Sequence, residues 1–119
     1  MEDCIFCKIA KGEVEYVKIW EDENFMAILD VAPQVRGHAL IISKEHFENI
    51  MEMPEELGPE LLDCIKKTAT VLMKKFGCGG FNVLNNTNEV AGQIVKHVHF
   101  HVLPRKKGDG YFVSLEKKE

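Results

Sequence analysis

The sequence lacks any apolar run long enough to cross a membrane. A spanning helix needs about 20 mostly apolar residues, and no stretch of this 119-residue chain approaches that length. The opening residues Met1-Glu2-Asp3-Cys4 are acidic and contain none of the apolar core of an export signal. We therefore expect a cytoplasmic protein without a membrane partner.

Long runs of positive charge are also missing. Lysine and arginine total 15 against 19 for aspartate and glutamate, so the formal net charge is −4, and the longest basic cluster is Arg105-Lys106-Lys107. Affinity for duplex DNA depends on many cationic contacts to phosphates, so double-stranded nucleic acid is not an expected partner. The sequence also has no repeat, low-complexity tract or linker, and its length is typical of a single domain over residues 1–119.

Apolar patterning predicts an α+β domain. Charged residues 21–24 separate two short apolar runs, Val17–Trp20 and Phe25–Leu29, and this pattern is typical of a β-hairpin. The longest element is a helix over about Glu55–Phe76, whose apolar residues recur near a 3.6-residue period and which Gly77 can cap. The other predicted elements are strands at His38–Ile42, Phe81–Asn86 and Val98–Leu103, the last ended by Pro104, and short helices at residues 5–10 and from a Ser43 cap through Ile50. We expect a five-stranded, mainly antiparallel sheet with the long helix on one face.

Two of the four cysteines form a close pair at the start of the chain. Cys4 and Cys7 have the two-residue gap of zinc half-sites and of redox-active pairs. A zinc half-site needs two more ligands, whereas redox pairs follow a strand in a βαβ unit, which this segment does not. Cys64 lies at helical spacing among apolar residues, so we expect a core position for it, and Cys78 carries no functional signal.

The most informative segment is His97-Val98-His99-Phe100-His101-Val102-Leu103. Because side chains alternate between the two faces of a strand, all three histidines share one face and the apolar residues share the other. Three interpretations are open. The histidines can belong to a solvated face, they can hold a catalytic metal with an open coordination position, or a neutral imidazole among them can attack phosphorus.

This histidine strand and the preceding Gly92-Gln93-Ile94-Val95-Lys96 together resemble the signature of the histidine-triad (HIT) family of nucleotidyl hydrolases and transferases. Further family-like motifs are Cys4-Ile5-Phe6-Cys7-Lys8-Ile9, Asp30-Val31-Ala32-Pro33-Gln34, Gly37-His38-Ala39-Leu40-Ile41-Ile42 and Asn85-Asn86. The resemblance covers nearly the whole chain and is to the compact bacterial and archaeal members. It implies a HIT-like fold, a homodimer and hydrolysis at the α-phosphate of purine nucleotides through a nucleotidyl-histidine intermediate. Nucleoside 5′-phosphoramidates are the first expected substrates and dinucleoside polyphosphates the second.

The resemblance also implies roles for individual residues. His99 matches the nucleophile, His101 matches the histidine that contacts the phosphate and assists the leaving group, and His97 matches the first triad histidine, whose carbonyl orients the nucleophile. Asp30 matches the carboxylate that accepts hydrogen bonds from the ribose, although an aspartate before a proline can equally form a turn. The other residues matched to the nucleotide site are Asn86 and Gln93 near the phosphate, His38 beside the triad, and Phe6, Ile9, Val14, Ile28 and Leu40 around the base. The last six can also be ordinary core residues.

In zinc-containing relatives, the cysteine pair is completed by two histidines. The matching residues here are Cys4, Cys7, His46 and His97, and the resemblance therefore implies a zinc ion with four protein ligands. Such a site has no open coordination position, so the zinc would be structural. No organic cofactor is expected.

Residue 94 departs from the family pattern. Many relatives carry serine or threonine there, with a hydroxyl that contacts the phosphate, and Ile94 has none. Two other classes stay open beside the nucleotidyl hydrolase, and Ile94 bears only on the first of them. One is a nucleotide-binding module with little catalysis, and the other is a metal-dependent hydrolase in which His99 and His101 are ligands.

Overall fold

The computed structural model of the protein describes residues 3–111. Its strands form a single sheet in the order β1-β2-β3-β5-β4, and every neighbouring pair is antiparallel. The strands are β1 (Lys18–Glu21), β2 (Phe25–Leu29), β3 (Ala39–Ser43), β4 (Gly80–Leu84) and β5 (His99–Arg105). The predicted α+β class and the five-stranded antiparallel sheet are confirmed.

Two α-helices flank this sheet. α1 is Ile5–Ala10 and α2 is Gly58–Phe76. α2 begins later than predicted because Glu55–Leu57 forms a 3₁₀ turn before it, and Pro59 lies in the first turn, where its missing N–H costs nothing. Two more 3₁₀ turns are Ile50–Glu52 and Glu89–Ala91. Among the described residues, no helix has the length and apolar character to span a membrane.

The two faces of the sheet bury different apolar clusters. One face packs against α2, whose buried residues include Leu61, Cys64 and Leu72. Cys64 is fully buried, as predicted, and burial raises the pKa of its thiol to about 12. The opposite face packs against α1 and contains the cluster Phe6, Ile9, Met26, Ile28, Leu40 and Ile42. Both faces are therefore covered, and the α1 face is the one that the triad histidines share.

Two details of the predicted secondary structure are wrong. Ser43 does not cap a helix, since it ends β3 and no helix covers residues 44–49. Pro104 does not end the last strand, because β5 continues to Arg105 with Pro104 opposite Phe81 of β4. The pairing of β5 with β3 stops at Val102, so β5 has a free side at Pro104, where a residue without an N–H is tolerated.

Candidate active site and metal centre

The register of β3 and β5 places two of the three triad histidines on the α1 face. Ile42 lies opposite His99 and Leu40 lies opposite His101. Val98, Phe100 and Val102 point the other way, into the α2 cluster. His97 comes just before β5 and is fully buried. The alternation predicted from the sequence is confirmed for β5, and it separates the apolar core residues of this segment from its histidines.

His99 has a hydrogen bond that fixes its tautomer. Its Nδ1 lies 2.8 Å from the carbonyl oxygen of His97. A carbonyl only accepts, so Nδ1 carries the proton of the neutral ring and Nε2 keeps its lone pair. Within residues 3–111, no group hydrogen-bonds to this Nε2. The Phe6 ring packs edge-on against His99 with centroids 5.0 Å apart. Because Phe6 belongs to α1, this helix also contacts the imidazole ring.

His101 is linked to His38, the residue immediately before β3. His38 lies diagonally across from it, and its Nε2 is 2.9 Å from Nδ1 of His101. On the other side of the His38 ring, the backbone N–H of Gln34 donates to Nδ1 at 3.0 Å. Burial lowers the pKa of His38, and burial together with the neighbouring His99 and His38 lowers the pKa of His101 to about 4. Both rings are therefore neutral near pH 7.

Asp30 has two partners at the end of β2. Its Oδ1 accepts the backbone N–H of Ala32 at 2.9 Å, which is the turn that the sequence allowed, and its Oδ2 lies 3.5 Å from Nε2 of His38. The structure therefore brings Asp30 to the side of the site that His38 and His101 occupy. Its carboxylate still has lone pairs available for a ligand, because an ionised carboxylate can accept about four hydrogen bonds.

The residues expected around a base all lie in one apolar cluster. Phe6, Ile9, Ile28 and Leu40 are buried against one another, and Val14 packs against them while half-buried. Their common location agrees with the set that the resemblance implied. Their role in binding a base is a prediction that the structure does not test.

Gln93 has no free hydrogen-bond donor. Its side-chain amide donates to the carbonyls of Glu48 at 2.7 Å and Val95 at 3.0 Å, and its oxygen accepts the N–H of Asn88 at 2.7 Å. The side chain is 5% exposed and ties the loop before His97 to residue 48. The Nδ2 of Asn86 reaches the carbonyl of Gly92 at 3.4 Å. Of the two side chains, Asn86 is the more accessible.

A second cluster of side chains shares His97 with the triad. Cys4, Cys7, His46 and His97 each offer one ligand atom, and these four atoms all lie within 4.8 Å of one another. Nδ1 of His97 is 3.2 Å from the sulfur of Cys4 and 3.5 Å from that of Cys7, while Nδ1 of His46 is 3.3 Å from the sulfur of Cys7. Two sulfurs and two imidazoles at this spacing can hold a metal ion.

The tautomer of His97 agrees with a metal ligand. Its Nε2 is 2.7 Å from the carbonyl of Ser43, so Nε2 carries the proton and Nδ1 directs a lone pair toward the two cysteines. Burial, together with the neighbouring Cys4, raises the pKa of the Cys7 thiol. A coordinated cation favours the thiolate form that burial disfavours, because a thiol bound to a metal ion loses its proton. The four residues therefore fit a tetrahedral zinc ion.

Asp30, His38 and His101 also bring three ligand atoms within 4.8 Å, but their hydrogen bonds oppose metal binding. The peptide N–H of Gln34 occupies the lone pair on Nδ1 of His38. The neutral ring then carries its proton on Nε2, which is the atom that would have to bind the metal. His38 therefore takes part in hydrogen bonds to Gln34 and His101, and this group is not arranged as a metal site.

A cleft of about 500 Å³ opens beside the cluster of Cys4, Cys7, His46 and His97. Its lining includes Cys4, His46, Glu48, Ile94 and Lys96. Ile94 is 91% exposed, so the residue that departs from the family pattern contributes an apolar side chain to an open surface. The cleft contains none of the residues expected around the base.

The hydrogen bonds of three groups in the site were not predicted from the sequence. These groups are the Ser43 carbonyl that fixes His97, the Gln34 N–H that fixes His38, and the Asn85 side chain, whose Nδ2 donates to the carbonyl of His99 at 2.9 Å. Two of them are backbone groups, which no residue pattern reports. The contact of Asn85 with His99 could have been inferred from the register of β4 and β5. Leu84 lies opposite His101, so the residues that follow Leu84 run toward His99.

Comparison with known proteins assigns the family. The HIT domain model matches residues 11–108. An uncharacterized HIT-like protein of Methanocaldococcus jannaschii is 47% identical over 94% of this chain and 86% of its own, and adenosine 5′-monophosphoramidase of Schizosaccharomyces pombe is 43% identical over 86% of this chain and 74% of its own. The crystal structure of a zinc-bound histidine triad family protein from Mycobacterium smegmatis matches with a TM-score of 0.86 and 34% identity over 98% of this chain and 84% of that one. The chain therefore belongs to the HIT domain family.

Proposed function

We propose that the protein hydrolyses nucleoside 5′-phosphoramidates, releasing a purine nucleoside monophosphate and an amine through a nucleotidyl-histidine intermediate. The observation that supports this most is the His99 ring, which the His97 carbonyl holds with its proton on Nδ1 and its lone pair on Nε2. A neutral imidazole in this tautomer is a nucleophile that needs no separate base. A similar chain from Schizosaccharomyces pombe is named an adenosine 5′-monophosphoramidase.

The first half of the reaction forms the intermediate. The lone pair on Nε2 of His99 attacks the α-phosphorus, and the bond from phosphorus to the amine nitrogen breaks. The amine leaves with that electron pair and takes the proton from Nε2 of His101. The charge left on His101 lies beside the nucleotidyl-imidazolium of His99, whose ring centroid is 5.2 Å away. These opposite charges offset each other in a partly desolvated site.

The second half regenerates the histidines. A water molecule attacks the same phosphorus, its proton goes to Nε2 of His101, and the bond between phosphorus and His99 breaks. The nucleotide then leaves with the oxygen of that water. In this proposal Asp30 accepts hydrogen bonds from the ribose, Asn86 contacts the phosphate, and the cluster around Phe6, Ile9, Val14, Ile28 and Leu40 receives the purine.

The test is turnover of adenosine 5′-phosphoramidate by wild type and His99→Ala. We expect AMP release from wild type and none above background from the variant, with AMP still binding to the variant in calorimetry. Acid-quenched wild type should carry one covalently attached AMP, visible by intact-protein mass spectrometry. Full activity in His99→Ala would refute the proposal, and AMP binding by wild type without turnover of any nucleotide offered would indicate a binding module. Dinucleoside polyphosphates are the second substrate class to offer.

We further propose that Cys4, Cys7, His46 and His97 hold a structural zinc ion. When bound, zinc would fasten the start of the chain to the segment that carries the nucleophile. Elemental analysis of reduced protein should find one zinc per chain in wild type and in the control Cys78→Ser, and far less in Cys7→Ser. A folded wild-type protein without metal would refute the site. Loss of activity on chelation before any unfolding would instead favour the metal-dependent hydrolase.

The homodimer implied by the resemblance has a candidate surface in β4. This strand lies at the edge of the sheet, it contains no charged residue, and Phe81, Val83 and Leu84 are exposed on it. Monomeric proteins usually protect such edges with charges or prolines, so we propose that a second copy pairs here. Sedimentation should show a dimer for wild type and for the control Val17→Lys, and a monomer for Val83→Lys. A monomeric wild type would contradict the pairing.

A further inference from the structure

Two consecutive hydrogen bonds link the backbone of Gln34 to His101 through His38, and they determine which nitrogen of His101 carries the proton. The first begins at the backbone N–H of Gln34, which can only donate and which points at Nδ1 of His38, 3.0 Å away. A neutral imidazole has one N–H. Since Nδ1 of His38 accepts, the proton of His38 is on Nε2.

The proton on His38 has two acceptors within reach. Nδ1 of His101 is 2.9 Å from Nε2 of His38, and Oδ2 of Asp30 is 3.5 Å away. The shorter contact has the length of a true hydrogen bond and the longer one exceeds it. His38 is 2% exposed, so water does not compete for this donor. Nδ1 of His101 is therefore an acceptor, and the proton of neutral His101 is on Nε2.

We propose that His38 is a positioning residue that keeps the proton of His101 on Nε2, from which it can be transferred to the leaving group. We expect this hydrogen bond to matter most for substrates with poor leaving groups. The proposal rests on the function proposed above. Without the His38 donor, His101 can place its proton on Nδ1 instead, and the ring then presents a lone pair rather than a proton to the amine.

The same hydrogen bond gains strength during the reaction. When the phosphorus–amine bond breaks, the proton on Nε2 of His101 moves to the amine nitrogen and negative charge develops on the imidazole. A donor already aimed at Nδ1 stabilises that charge without reorganisation. A phenolate leaving group needs no such proton, so its departure depends less on His38.

A direct test reads the tautomer without turnover. Long-range ¹⁵N–¹H correlation NMR on zinc-loaded, ¹⁵N-histidine-labelled wild type, with His101→Gln to assign the signals, should show the Nε2–H form of His101. In His38→Leu we expect the His101 signals to shift toward a mixture of the two tautomers. An Nδ1–H form in the wild type would overturn the proposal whether or not the protein is a hydrolase.

A kinetic test uses two substrates and a matched pair of variants. For adenosine 5′-phosphoramidate, His38→Leu should lower kcat by about 10- to 100-fold, part of the ~10²–10⁴ that a positioned acid supplies, with little change in KM. For the p-nitrophenyl ester of AMP the loss should be several-fold smaller. His38→Gln should recover most of the lost rate, because the glutamine amide can donate to Nδ1 of His101.

The outcomes separate this proposal from the proposed function. Equal losses for both substrates in His38→Leu, or no recovery in a folded His38→Gln protein, would refute the positioning role. If wild type turns over neither substrate, the proposed function fails, and the NMR measurement still decides the tautomer. Thermal melts of both variants should confirm that each is folded.

Discussion

Replacement of Gly37 by alanine should destabilise the protein more than a positive backbone angle alone explains. Gly37 has φ +86°, and a Cβ there would lie 2.6 Å and 2.7 Å from two ring carbons of Phe76 and 3.1 Å from Cγ of Pro104. Contacts this short force the end of α2 away from β5. Gly77 is a matched control, since it also has positive φ, +65°, but a Cβ there meets no atom of residues 3–111 within 4 Å.

Both variants lose stability because of positive φ, and only Gly37→Ala adds a cost from overpacking. An L-residue at positive φ costs about 1–2 kcal/mol, offset by roughly 0.4–1 kcal/mol from the stiffer unfolded chain, which leaves about 1 kcal/mol for Gly77→Ala. Gly37→Ala adds an overpacking cost of about 1–3 kcal/mol, for a total near 2–4 kcal/mol.

Urea denaturation gives both free energies of unfolding directly, and the m-value checks that unfolding stays two-state. At roughly 3–6 °C per kcal/mol for a domain of this size, Gly37→Ala should melt roughly 6–24 °C below wild type. Equal losses for the two variants would show that the Phe76 ring moves aside freely and that the packing argument is wrong.

Two further predictions concern the site. The pKa of His101 is lowered to about 4 in the folded protein, so between pH 6.5 and 4 the unfolded chain binds the extra proton and stability falls with falling pH. Urea titrations should show a shallower fall for His101→Gln than for wild type, and identical slopes would contradict the burial of a neutral ring. Ile94→Thr should leave the free energy of unfolding within about 0.5 kcal/mol of wild type, since residue 94 is 91% exposed. The same variant should raise kcat for adenosine 5′-phosphoramidate, and an unchanged or lower kcat would show that residue 94 does not contact the phosphate.

Most of the correct predictions about fold and burial came from the periodic alternation of apolar and polar side chains. The period of two in residues 97–103 separates the histidines from Val98, Phe100 and Val102 because a strand has only two faces, and the structure keeps that division. The helical period of α2 likewise predicted its buried residue Cys64. Periodicity works here because it reports burial, which is the largest energetic difference between positions.

The errors arose where a local preference competes with a tertiary contact. Ser43 is a good helix cap by residue type, but here its hydroxyl donates to the carbonyl of Glu45 and its own carbonyl accepts from buried His97. Pro104 is a poor strand residue, yet it lies where β5 has lost one of its two neighbours. Neither partner could be known before the sheet register was known.

The contact of Cys4 with His97 has a consequence for how the molecule is made. The two residues are 93 positions apart, and closing a loop of that length costs roughly 4 kcal/mol in its length-dependent part alone. Cys4 and Cys7 are synthesised long before His97, so a growing chain cannot complete this cluster while the ribosome still holds the segment from His97 onward. Assembly of this cluster therefore waits for synthesis of His97, and the two thiols must stay reduced until this distant partner is available.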